Sequence, residues 1–223
     1  MKSDEVINKL KSLSNKKNVE GMARFGINSE NTLGVSIYIL RPLAKEIGKN
    51  HKLALQLWKS KIHEARILAS YIDEVAKVTE KQMDAWVADF DSWDVCDQVI
   101  SNLFDQTPFA YKKAFEWSKR KEEFVKRAGF VMMAALSVYD KKAPDTKIMK
   151  FLPVIKREAT DERNLVKKAV NWALRQIGKR NKKLNEEAVK LAEEIIEAYP
   201  NSKSARWVAK DALRELSGHK FRQ

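Results

Sequence analysis

Apolar residues recur every three or four positions along nearly the whole chain, and no segment alternates apolar and polar with period two. A strand buried on one face needs that alternation, so the pattern excludes sheet-based folds and predicts an all-α protein. Val6, Ile7, Leu10 and Leu13 form the first stripe. Further helices are expected over 18–25, 36–47, 51–59, 62–75, 79–90, 92–104, 108–118, 121–139, 145–158, 161–178, 185–199 and 202–216, with a loop over 26–34. Gly48 suits a C-cap and Pro200 a stop. Thr79 with Gln82 three residues on suits a capping box, and Pro42 either starts its helix late or kinks it. Only 7 Gly and 5 Pro occur in 223 residues, which is little turn punctuation for a hairpin-rich or Rossmann-type chain.

The later helices come in pairs whose second members resemble one another. Val125-Lys126-Arg127-Ala128 matches Val166-Lys167-Lys168-Ala169 at a separation of 41, and Trp172–Ile177 matches Asp211–Leu216 at 39. A two-helix unit of roughly 40 residues is the signature of HEAT or armadillo repeats, which stack into an α-solenoid with a concave binding face. The expectation is one HEAT-like repeat domain over 1–223, with less regular helices over about 1–50 and paired-helix repeats over about 51–218. A generic helical bundle is the alternative.

Charge points to a partner. Basic residues outnumber acidic ones by 43 to 30, and the whole excess of +13 lies between Lys112 and Lys183. Charge segregated in this way reads as the footprint of a polyanion, against the alternative of a solubilising surface. A basic concave face is therefore expected. The single Cys96 excludes an intramolecular disulfide framework and a Cys-cluster metal site, and three scattered His leave little for a transition metal. No metal and no cofactor are expected. The opening MKSDEVINKL carries acids where a signal peptide needs an apolar core, and the apolar run 128–136 is far too short to span a bilayer. These features predict a soluble cytoplasmic protein with no membrane partner; a monomer is the default state.

Three helices hold the candidate chemistry. In 161–178, Val166, Val170, Ala173 and Ile177 make the core stripe, and Lys168, Trp172, Arg175 and Lys179 fall opposite. Trp172 is either a stray surface aromatic or, among three cations, a nucleic-acid contact with Lys and Arg on phosphate and the ring on sugar or base. In 92–104, Trp93 and Asp97 lie four apart at the edge of a stripe of Val95, Cys96, Val99, Ile100 and Leu103. Asp97 has an alternative role, supporting the helix N-terminus through the macrodipole. Asp89, Asp91, Asp94 and Asp97 do not make an EF-hand: Trp93 takes the fifth loop position, and the Gly and terminal Glu are missing. In 121–139, Arg127 shares a side with Phe124, Phe130, Val131 and Ala134, so it must snorkel, meet an anion or pair with a carboxylate such as Asp97.

At these residues the chain resembles the AlkD family of DNA alkylation repair glycosylases, which are built from HEAT-like repeats. The resemblance rests on Ser92-Trp93-Asp94-Val95-Cys96-Asp97, Phe124–Ala128 and Lys168–Arg175, and near the N-terminus on Met22-Ala23-Arg24-Phe25 and Leu33-Gly34-Val35-Ser36. It implies a monofunctional glycosylase for cationic N3- and N7-alkylated purines in double-stranded DNA, acting without flipping the base into a pocket. Asp97 matches the family's catalytic Asp, Trp93 and Trp172 its paired tryptophans, and Arg127 the Arg that grips DNA at the same site. Lys168, Arg175 and Lys179, with Arg24, Phe25 and Ser36, are the expected DNA-binding residues. Phe25 stands where the family often has Tyr, and Ser36 and Pro42 make the start of that helix atypical. A non-catalytic binder of damaged or branched DNA and a HEAT-type protein-interaction scaffold are the alternatives.

Overall fold

The computed structural model describes residues 1–221; the last two residues of the expected 1–223 domain lie outside the described residues. Among these, every regular element is helical, in two units, Met1–Thr107 and Pro108–Gln223.

The first unit contains α1 (Ser3–Ser12), α2 (Lys16–Arg24), α3 (Ile37–Ile47), α4 (His51–Lys59), α5 (His63–Ile72), α6 (Glu80–Ala88) and α7 (Trp93–Asn102), with short 3-10 turns at Val75–Lys77 and Phe104–Gln106. Helix α5 is its centre, packing on α3, α4 and α7. Ala65, Ile67, Leu68, Ala69 and Ile72 supply the apolar surface, but His63, Glu64 and Arg66 are buried as well. Glu64 and Arg66 tie connecting segments to the helix and His63 ties the start of α7, since a buried polar or charged group needs a partner. The Glu64 carboxylate accepts the backbone N–H of Leu33, Gly34 and Val35 at 2.9, 2.6 and 3.1 Å. Arg66 donates to the Asp89 carbonyl at 3.0 Å and to the Asp91 carboxylate at 2.6 Å. His63 Nε2 lies 2.8 Å from Asp94. Gly34 sits at φ +76° against α2, where a Cβ would collide with the Asn15 carbonyl oxygen, so only glycine fits. Trp58 stacks on Trp86 with ring centres 4.0 Å apart and donates its indole N–H to Asp89 at 2.9 Å.

The second unit contains α8 (Ala110–Trp117), α9 (Glu123–Tyr139), α10 (Asp145–Met149), α11 (Leu152–Glu158), α12 (Asn164–Gly178), α13 (Lys182–Ala198) and α14 (Lys203–Leu216). Helix α9 is buried along almost its whole apolar half, from Val125 to Ser137, and packs on α8 and α12; α12 packs in turn on α13 and α14. The segments whose matching suggested a repeat, α9 with α12 and α12 with α14, therefore lie side by side. Gly129 allows the backbone of Ser118 to press directly on α9, where a Cβ would collide. The helix expected over 145–158 is instead two, α10 and α11. Pro153 is the cause: it has no N–H to offer the carbonyl four residues back, and its ring crowds that turn. The capping box expected at Thr79 is half formed. Thr79 accepts from Gln82 N at 3.1 Å, but the Gln82 amide donates to Asp73 at 2.6 Å rather than returning to the cap.

Candidate nucleic-acid interface

In the first unit the candidate residues gather at the start of α7. Ser92 takes the N-cap position, yet its hydroxyl donates to Asp94 at 2.6 Å instead of capping. Asp94 is the acidic residue of the first turn. Burial pushes its carboxyl up, but the His63 and Ser92 hydrogen bonds outweigh that and hold it below the usual range. Asp97, the fifth residue of the helix, lies beyond the first turn, so the macrodipole role falls to Asp94. Trp93 and Asp97 are both half-buried, one turn apart on the same side of α7. The Trp93 indole donates to the Phe25 carbonyl at 3.1 Å, which brings the end of α2 to the start of α7. The Phe25 ring itself is 78% exposed beside exposed Arg24. Ser36 is occupied as the N-cap of α3, accepting from Tyr38 N at 3.3 Å. Asp89, Asp91 and Asp94 are engaged by Trp58, Arg66 and His63 respectively.

Two further features of this unit are not marked by the helical periodicity of the sequence. Tyr38 is 80% exposed, an unusual setting for a large aromatic. A groove of about 440 Å³ is lined by Arg41, Lys45, Lys49, Tyr71 and Asn102, with three cations and no carboxylate. Lys49 is held there by the Tyr71 and Asp73 carbonyls at 2.9 and 3.0 Å, at the end of α5. Such a groove suits a phosphate.

In the second unit Arg127 is 5% exposed, so it does not snorkel. One of its partners is the Leu165 carbonyl in the first turn of α12, at 2.7 Å. It thereby fixes the start of the helix that carries exposed Lys168 and half-buried Trp172. Arg175 and Lys179 are placed differently from the simple picture of a free cationic face: both pair with Glu215 of α14, and Arg175 also lies 3.9 Å from Asp211. Those carboxylates are about forty residues further along the chain, so helix periodicity alone does not reveal them. Another basic surface also went unnoticed, on α14: Lys203, Arg206, Trp207, Lys210 and Arg214 line a second groove of about 440 Å³. Its i, i+3/i+4, i+7, i+11 spacing was the available signal.

Stacked HEAT-like helical repeats are the class of protein this architecture defines. A solved structure superimposes with a TM-score of 0.78 at 23% identity, over 87% of this chain and 83% of the other. It is described as a new family of proteins related to the HEAT-like repeat DNA glycosylases, with affinity for branched DNA structures. No curated protein matches the chain. A family model described as DNA alkylation repair enzyme matches residues 6–216, and the chain belongs to that family. Among the described residues no helix is long and apolar enough to cross a membrane.

Proposed function

We propose that the protein is a monofunctional DNA glycosylase that hydrolyses the N-glycosidic bond of N3- and N7-alkylated purines in duplex DNA, without drawing the base into a pocket. The observation that carries this reading is the placement of Trp93 and Asp97 one turn apart on α7, with Asp97 past the turn where the helix dipole would account for it. An alkylated purine already bears positive charge and leaves with little acid help. The demand falls on the deoxyribose, which becomes oxocarbenium-like as the bond breaks. Asp97 stabilises that charge and orients the attacking water. Trp93 and Trp172 pack against the sugar and backbone of the lesion nucleotide, and Lys168 meets phosphate. Arg127 acts through its hold on the start of α12. Arg175 and Lys179 contribute to phosphate binding by exchanging Glu215 for DNA. Arg24 and Phe25, beside Trp93, and the start of α3 at Ser36 extend the contact along the duplex. This chemistry calls for neither metal nor cofactor.

The test is single-turnover release of 7-methylguanine from a duplex oligonucleotide by wild type and Asp97→Asn. Removing a charge stabiliser of this kind should slow release by about 100-fold, while duplex affinity stays the same. Equal release by the variant refutes the role of Asp97. A second reading, a non-catalytic binder of branched DNA, is favoured by the described affinity of the similar solved structure. Absence of release from wild type, with binding to a branched duplex intact, selects it.

A further inference from the structure

Helix α14 presents two opposite faces. Ala205, Val208, Ala209, Ala212 and Leu216 are buried against the rest of the second unit. Lys203, Arg206, Trp207, Lys210 and Arg214 are exposed. At about 100° per residue, these five fall within an arc of about 100°. They line the groove of about 440 Å³, together with a single acidic residue, Asp211. That carboxylate is already engaged, with Arg214 and with Arg175 at 3.9 Å. Lys203, Arg206 and Lys210 have no carboxylate partner among the described residues. Trp207 is 39% exposed in the middle of this row, and the Lys167 ammonium of α12 lies 5.2 Å from the centre of its ring. The cation holds the indole from the α12 side.

We propose that this face of α14 binds single-stranded nucleic acid, with Lys203, Arg206 and Lys210 on successive phosphates and Trp207 stacked on an unpaired base. From Lys203 to Arg214 the helix advances about 16 Å, enough to follow several phosphates of one strand. The indole decides between polyanions. In a duplex the base faces are covered by their neighbours, so a stacking ring needs an unpaired nucleotide. An acidic protein surface would satisfy the cations and leave the ring without purpose. Such binding goes beyond base excision and requires no catalysis.

Fluorescence anisotropy with a labelled oligo(dT) of about 12 nucleotides tests it, with a heparin fragment as a polyanion that has no bases. Trp207→Ala should weaken oligo(dT) binding by about tenfold and leave heparin binding unchanged, and Trp207→Phe should retain most of the affinity. Replacing Lys203, Arg206 and Lys210 together with Ala should weaken both ligands and reduce the oligo(dT) salt slope by about 2. Unchanged oligo(dT) affinity in Trp207→Ala overturns the proposal, as does an equal loss for heparin. An unaltered circular dichroism spectrum shows that these exposed positions leave the fold intact. A protein that binds oligo(dT) through Trp207 but releases no 7-methylguanine refutes the glycosylase and leaves this site standing.

Discussion

Glu64→Ala would remove the carboxylate that accepts three backbone amides from the segment leading into α3, those of Leu33, Gly34 and Val35. The bonds to Gly34 and Val35 are buried; that to Leu33 is partly accessible and finds water when the carboxylate is gone. A buried donor left without a partner costs about 1–3 kcal/mol, so two cost about 4 kcal/mol, a large part of the ~5–15 kcal/mol that holds a typical domain together. Glu64→Gln can keep its amide oxygen where one carboxylate oxygen serves both Gly34 and Val35 and turns its NH2 group only towards the Leu33 N–H, so a loss of no more than about 1 kcal/mol is expected. Urea unfolding measures the total loss. Native-state hydrogen exchange at amides 33–35 shows whether the segment opens separately or with α5. A loss below about 1 kcal/mol for Glu64→Ala would refute the view that this carboxylate fastens the segment to the helix.

Burial pushes the Asp105 carboxyl up to about 7 from an ordinary 3.8. The native state then keeps a proton that the unfolded chain has released, so this group lowers stability as pH rises from about 4 to 7, and its full penalty applies above 7. Asp105→Asn should stabilise the protein at pH 8 by about 2 kcal/mol, half of what a shift of about three units implies because the residue is partly exposed. It should leave stability unchanged near pH 4; melting temperatures at both pH values check this, and an equal gain at both would contradict it. Glu215→Gln removes the one carboxylate that Arg175 and Lys179 must leave to reach phosphate, steepening the salt dependence of duplex binding by up to about 1 in slope. An unchanged slope would place those cations away from the DNA.

Local periodicity and capping carried most of the fold. Helix α4 runs over the expected residues, Asn50 and Ser202 cap as short polar side chains should, and Gly48 ends α3 at φ +74°, whereas the Asn181 cap starts α13 at Lys182, ahead of the expected 185. The break at Pro153 was hidden because Ile148, Phe151, Leu152 and Ile155 continue one apolar stripe across it. Two positions of the candidate site were legible for the same local reason: Trp93 and Asp97 share a side because they are four apart. What could not be read was long-range pairing. Arg175 and Lys179 look like free cations until α14 brings Glu215 beside them, and Gln82 looks like a cap partner until Asp73 takes its amide. The repeat match of α14 to α12 does not set Trp207 apart; only the spacing of the cations around it on the exposed side of α14 does.

The grip of Glu64 is placed on main-chain amides and on no side chain of the segment it holds. That grip itself is indifferent to side-chain identity, although Gly34 must stay fixed and Val35 is buried in the core. Residues 27–32 are less free: the Asn28 side chain donates to Asp91 at 3.2 Å and accepts from the Glu30 N–H at 2.9 Å, the Thr32 hydroxyl donates to the Asn28 carbonyl at 2.7 Å, and Asn31 sits at φ +54°. Exposed Ser29 and Glu30 are therefore the positions of this loop where new contacts can be introduced while the helix that anchors it is left as it is.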